Sequence, residues 1–255
     1  MQHALADDWD FHWSHLDTAA RWNPAQKYRR RLILNALQIP GSGHNALVLD
    51  IGSGQGDFAI DLLARHPAAL LSGVELSRSG VSISSKREPR ARFFERDLLQ
   101  PAAPPEGLEG WATHAVCSEV LEHLDNPELL LRNALPWMAP GCRVIVTVPG
   151  GPMSSFDRHI GHRRHYDPAS LRSLLERAGL DVDSVTCAGF PFFNLYRLTV
   201  IARGDRLLED ISRPDGAAPH WAARVAMRLF DASFCFNRSR GSLGWQMLAL
   251  ARVSS

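Results

Sequence analysis

Hydrophobic and polar positions follow two alternating periods along this chain. Short apolar runs fall at 46–51, 70–75, 91–95, 111–117, 142–148 and 180–188, and each reads as a strand. Between them, apolar residues recur at helical spacing. Tyr28, Leu32, Ile33 and Leu37 form one such stripe, with Asn23 placed to cap it and Pro24 suited to its first turn. Phe58, Ile60, Leu62 and Leu63 form a second. Further helices are predicted over 81–86, 126–138 and 167–178. Asp167, Pro168 and Gly179 punctuate the last of these. A final strand is expected within 243–253. Strands that are apolar throughout, alternating with helices, predict a mostly parallel sheet covered on both faces.

This order divides the 255 residues of a single domain into parts. A helical N-terminal cap spans 1–43. A Rossmann-like α/β core spans 44–188 and 243–255, with seven strands. An insertion spans 189–242. The connection of about fifty residues before the last strand is too long for a bare loop. Trp221, Val225 and Leu229 predict an amphipathic helix in it, expected to face protein rather than a membrane surface. The apolar stretch 190–202 is interrupted by Asn194 and Arg197 and is too short to span a bilayer, so stable membrane insertion is not expected.

Composition narrows the function classes. The net charge is +1, so a nucleic-acid partner is not favoured. Cys117, Cys142, Cys187 and Cys235 form no CxxC pair, so no metal centre is expected. All four sit in apolar surroundings and read as buried thiols in a reducing cytoplasm. The first seventeen residues are acidic and aromatic, without the pattern of a secretory leader.

The strongest chemical feature runs from Leu47 to Phe58. A strand enters a turn containing Gly52, Gly54 and Gly56, and a helix follows. Glycine permits positive φ and close approach of a ligand to the backbone, and such a turn lies where open α/β sheets bind ligands. The spacing is GxGxG, whereas a dinucleotide fingerprint needs GxGxxG. Asp50, just before the turn, would repel a pyrophosphate and suits a ligand carrying a positive amino or sulfonium group. A nicotinamide-dependent oxidoreductase is therefore disfavoured.

From Asp50 to Gly56 the chain resembles the first motif of class I S-adenosylmethionine methyltransferases, of the small-molecule type. The resemblance covers roughly 47–188 and the final strand. It implies that Asp50, Gly52, Ser53, Gly54 and Gly56 shape the methionine pocket of bound S-adenosylmethionine. It assigns the ribose hydroxyls to Glu75 and the adenine to Leu76, Asp97 and Leu98. The stretch from Cys117 to Leu124 resembles the segment after the fourth strand, placing Ser118 and His123 at the cofactor. His123 either orders that segment and lines the pocket or acts as a base. The same segment lacks the NPPY-like tetrad of nucleic-acid amino-methylating enzymes.

A stretch rich in His and Arg, 156–166, follows the fifth strand. Gly161, His162, Arg164 and Tyr166 resemble a GHxRxY pattern found in some small-molecule methyltransferases. One reading makes His162 or His165 a base, with Tyr166 beside them, and Arg163 or Arg164 an anchor for an acidic acceptor. The other is an ordered loop whose Arg and Tyr side chains pin carbonyls and Asp157. Tyr28 and Phe192, with Trp13, Trp22, Phe190, Phe193 and Tyr196, form either an apolar lid over the acceptor or core packing. The expected activity is methylation of a small molecule at oxygen, a hydroxyl or a carboxylate, in a biosynthetic or tailoring pathway. N-methylation of a small molecule or protein, and cofactor binding without turnover, are the alternatives. The oligomeric state is left open.

Overall fold

The computed structural model describes residues 23–211, 221–239 and 241–254. Trp13 and Trp22 lie outside the described residues. The first described helix, α1 (Pro24–Leu37), is capped by Asn23, whose side chain accepts the Ala25 N–H. Its Ile33, Leu34 and Leu37 are buried against the sheet.

Seven strands form one sheet: β1 (Leu47–Ile51), β2 (Leu70–Glu75), β3 (Arg92–Glu95), β4 (Ala112–Ser118), β5 (Met138–Pro149), β6 (Leu180–Ala188) and β7 (Gln246–Val253). Their spatial order is β3-β2-β1-β4-β5-β7-β6. All neighbours are parallel except β7, which runs antiparallel to both β5 and β6. The order reverses between β1 and β4. That switch point is where the crossover connections diverge and leave a crevice at the carboxyl ends of the strands. The predicted seven-stranded, mostly parallel Rossmann-like sheet is the observed one.

Helices cover both faces. They are α2 (Asp57–Arg65), α3 (Arg78–Arg87), α4 (Pro127–Ala134), α5 (Ser155–His159) and α6 (Pro168–Arg177). One buried cluster joins α4 and α6 to the sheet through Leu131, Leu171 and Leu175. The other joins α1 and α2 to its opposite face through Ile33, Leu62 and Val48.

Several boundaries differ from the sequence expectation for local reasons. The helix expected over 126–138 stops at Ala134 and tightens into a 3-10 turn at Leu135–Trp137. Pro136 supplies no N–H to continue it. Met138 already belongs to β5, pairing with Ala112. The helix expected over 81–86 starts earlier, at Arg78, because the Ser77 hydroxyl accepts the Gly80 N–H and caps it. The short α5 was not expected. It is nucleated by reciprocal bonds between Ser154 and Asp157.

The insertion carries two helices, α7 (Phe192–Ile211), bent at Gly204, and α8 (Trp221–Ser233). Asp231 of α8 pairs with Arg31 at 2.5 Å and with Lys27 at 3.6 Å, both on α1. Trp221, Val225 and Leu229 are exposed, so the expected stripe faces outward rather than against the core. Cys117, Cys142 and Cys187 are buried, but Cys235 is exposed in the 3-10 turn Phe234–Phe236 that follows α8, which corrects the reading of four buried thiols. No helix among the described residues is long and apolar enough to cross a membrane.

Candidate active site

The site begins with the turn after β1. Gly52 has φ 72°, and a Cβ there would meet Val120 Cγ2 at 2.4 Å, so a glycine is required twice over. The Gly52 and Ser53 amides donate to the Val74 carbonyl at 2.8 and 3.1 Å, locking the turn to β2. Glu75, the last residue of β2, accepts the Gly54 N–H at 2.8 Å with one carboxylate oxygen and the Ser77 N–H at 2.9 Å with the other. Asp97, beyond β3, has one oxygen on the Leu99 N–H at 2.8 Å.

These groups line a cavity of about 260 Å³ at the switch point. Asp50, Gly52, Ser53, Gly54, Glu75, Leu76, Asp97, Leu98, Ser118 and His123 all face it, so ten of the residues assigned to the cofactor from the sequence meet at one place. Gly56 lies just outside, capping α2 with φ 80°.

The donor set of the cavity fits S-adenosylmethionine. Asp50 Oδ2 and Ser53 Oγ are buried and have no hydrogen-bond partner. A ligand ammonium or hydroxyl would satisfy them. Burial, and then the charge of Glu75, push the Asp50 carboxyl up to about 7. A cationic ligand group would reverse that effect.

The β4 end of the cavity is built differently. Glu119 has φ 57°, a strained conformation for a residue with a Cβ. It is held by Arg29 of α1 at 3.0 Å and by the Gln246 side-chain amide at 2.9 Å, while Arg29 also donates to Gln246 at 2.9 Å. This closed triangle ties α1, β4 and β7 together beside the cofactor crevice. The sequence reading gave neither Arg29 nor Glu119 a role. The signal was absent, because three residues so far apart in the chain meet only in the fold.

Behind His123 lies a buried imidazole cluster. The rings of His123 and His162 meet edge-on at 4.7 Å, and those of His162 and His165 at 5.5 Å. Glu122 is fully buried, with Oε1 3.9 Å from His162 Nε2. Burial, reinforced by Glu119, pushes its carboxyl well above the usual range. Burial and then His123 bring His162 down to about 3, so this imidazole is neutral near pH 7. Asp157 is fully buried and forked by Arg197 of α7 at 3.0 and 2.7 Å. Burial alone would raise it, but the Arg197 hydrogen bonds and charge carry it down to about 2.

The remaining sequence candidates lie elsewhere. The Tyr166 hydroxyl is buried and donates to the Leu121 carbonyl at 3.1 Å, which pins the 3-10 turn Leu121–His123. Arg163 pairs with Asp125, and Arg164 donates to the Leu124 and Asp125 carbonyls at 3.1 and 3.2 Å. Tyr28 packs among Phe193 and Phe234, and burial pushes its phenol up to about 12. Phe192 packs beside Phe236. Neither lines the cavity. For these five residues the geometry is that of the ordered-loop and packing readings, because their polar atoms are engaged or their rings enclosed.

Residues 21–185, more than half of the chain, match the family described as "Methyltransferase domain". The chain belongs to the class I S-adenosylmethionine-dependent methyltransferases. It is 27% identical over 150 residues to a "Ubiquinone biosynthesis O-methyltransferase" of Coxiella burnetii (strain Dugway 5J108-111), covering 54% of this chain and 55% of that one. The chain thus spans about half the length of that curated relative. A protein of the same description from Xylella fastidiosa (strain 9a5c) is 26% identical over 212 residues, covering 71% of this chain and 82% of that one. The fold is shared with the geranyl diphosphate C-methyltransferase of Streptomyces coelicolor A3(2), solved with Mg2+, geranyl diphosphate and S-adenosyl-L-homocysteine. That similarity has a TM-score of 0.54 and 14% identity, covering 89% of this chain and 80% of that one.

Proposed function

We propose that this protein transfers the methyl group of S-adenosylmethionine to a hydroxyl oxygen of a small molecule. The observation that carries the reading is the composition of the β4 end of the cavity. Glu119 and His123 line it, and Arg29 and Arg30, which line it as well, are already paired. Arg29 is held by Glu119, and Arg30 by Asp61 at 2.5 Å. Arg163 and Arg164 are turned to Asp125 and to backbone carbonyls. Such a wall favours an acceptor that donates hydrogen bonds over one that brings a carboxylate. Of the two oxygen acceptors expected from sequence, the hydroxyl is the better match. The relatives described as O-methyltransferases agree with oxygen as the acceptor atom.

The cofactor, when bound, supplies an electrophilic methyl on a sulfonium. Asp50, Ser53 and the glycine turn would hold its amino-acid end, Glu75 its ribose, and Asp97 with Leu98 its adenine. The chain's own contribution is orientation and removal of one proton. The acceptor O–H would point to His123, and its proton would pass by that ring into the cluster of His162 and His165, leaving the electron pair of the bond on the oxygen that faces the methyl site. His162 is neutral near pH 7, so a lone pair is available there.

The test is release of S-adenosylhomocysteine with a panel of phenols, aliphatic alcohols, carboxylic acids and amines. Turnover with phenols or alcohols supports the reading. Turnover confined to carboxylic acids or amines contradicts it.

A further inference from the structure

The helix α8 has two apolar faces, and the core takes only one of them. Phe230 meets Tyr196 at 5.3 Å, and Phe234, just past the helix end, meets Tyr28 at 5.4 Å. On the other side Trp221, Val225 and Leu229 stand four residues apart and share one stripe. All three are exposed, as is Phe236 in the turn that follows, at 74%. The apolar surface continues beyond the helix. Phe236 packs beside Phe192 at 6.4 Å, and the exposed Leu195 lies one turn further along α7.

The charges at this surface are of one sign. Arg224 and Arg228 are exposed and flank the stripe along one side, and Arg238 is exposed just beyond Phe236. No carboxylate among the described residues pairs with these three arginines. Asp231 is the only acid between 221 and 238, and it is turned inward to Lys27 and Arg31 of α1. The outward surface therefore joins an apolar stripe to cations without an anion beside them.

This combination selects among partners. A protein interface carries about one hydrogen bond per 100–200 Å². Val225, Leu229 and Ala232, in the middle of the stripe, offer no side-chain hydrogen-bonding group. The headgroup boundary of a bilayer asks for none, since it accepts apolar side chains without a fixed register, and Trp and Arg suit its depth. Anionic headgroups supply the charge that the arginines lack. The inward face of α8 meets protein, as expected from the sequence, and the outward face has the composition of an interfacial helix.

We propose that α8 docks this protein on an anionic bilayer surface. The helix lies in the interface plane, with Trp221, Val225, Leu229 and Phe236 at the acyl-chain boundary and Arg224, Arg228 and Arg238 at the lipid phosphates. This is attachment and not a span, since no helix among the described residues is long and apolar enough to cross. Docking is measurable without cofactor or acceptor, so it stands or falls apart from the methyl-transfer reading.

The experiment is co-sedimentation of the full chain with vesicles of phosphatidylcholine alone and of phosphatidylcholine with phosphatidylglycerol, at low and high salt. The protein should bind the anionic vesicles, release them as salt rises, and leave the neutral ones largely unbound. Leu229→Glu should weaken binding at least about tenfold, because it places a charge in the apolar stripe. Arg224→Gln with Arg228→Gln should weaken it roughly tenfold or more at low salt, about fivefold for each arginine. These side chains are exposed, and circular dichroism and thermal unfolding check that each variant keeps its fold. No binding to anionic vesicles overturns the proposal, as does equal binding to neutral ones. Binding that both variants retain places the contact on another surface and overturns it too. A dimer in sedimentation equilibrium that Leu229→Glu dissociates, without vesicle binding, assigns the stripe to a second copy of the chain instead.

Discussion

The Glu75 carboxylate accepts the amide hydrogen of Gly54 at 2.8 Å, so the residue expected to hold the cofactor also holds the turn that cradles it. Glu75→Ala should therefore fail in two ways. Loss of hydrogen bonds to a charged group, each worth roughly 1.5–3 kcal/mol, should weaken cofactor affinity at least about tenfold. The buried Gly54 N–H is also left without its acceptor, at a cost of about 1–3 kcal/mol in stability. Calorimetry and thermal unfolding measure the two separately. Unchanged affinity in a folded variant would remove Glu75 from the cofactor site.

Asp50 gives the unliganded protein a defined pH response. Its folded value of about 7 lies above the ordinary carboxylate value of about 3.9. Between these limits the folded state holds more protons than the unfolded one, so this group's contribution makes stability fall as pH rises from about 4 to about 7. A cationic ligand favours the ionised carboxylate. Affinity for S-adenosylhomocysteine should accordingly increase as pH rises through about 7, and Asp50→Asn should flatten both slopes. Parallel slopes in wild type and variant would contradict the placement.

Gly52→Ala tests the turn by steric means. The new Cβ must accept φ 72° and a 2.4 Å approach to Val120 Cγ2. The backbone alone costs about 1–2 kcal/mol. In a chain of this size each kcal/mol lowers Tm by roughly 2–4 °C. Adding Val120→Ala removes the side-chain clash but not the backbone strain. The double variant should thus recover part of the lost stability, and no recovery would show that the contact with Val120 is not the obstacle.

The histidines make a kinetic prediction. With His162 brought down to about 3, its titration should leave no break in the kcat profile between pH 5 and 8. His162→Ala and His165→Ala should each lower kcat, by less than the roughly 10²–10⁴ of a base matched to neutral pH, because burial leaves His162 a weak one. Unaltered turnover in both removes the base role.

What could be read from the sequence was what local chemistry writes locally. The glycine turn, Glu75 and Asp97 stand at strand ends, and the alternation of apolar runs places those ends at one edge of the sheet. Ten cofactor candidates therefore meet in one cavity. The acceptor side was less legible. Arg163, Arg164 and Tyr166 have the residue types of a substrate site, but their partners Asp125, Leu124 and Leu121 make them braces for the loop. Conversely, the Arg29–Glu119–Gln246 triangle and the Asp157–Arg197 pair join residues from distant parts of the chain. No spacing rule in the sequence announces such contacts. The early end of α4 was legible in principle, since Pro136 stands inside the expected helix.

The most direct test of the central claim is calorimetric titration of the purified protein with S-adenosylhomocysteine, with NADH as the control. The account predicts micromolar binding of S-adenosylhomocysteine, lost or weakened in Glu75→Ala, and no binding of NADH. Binding of NADH, or no binding of S-adenosylhomocysteine by folded protein, would contradict it.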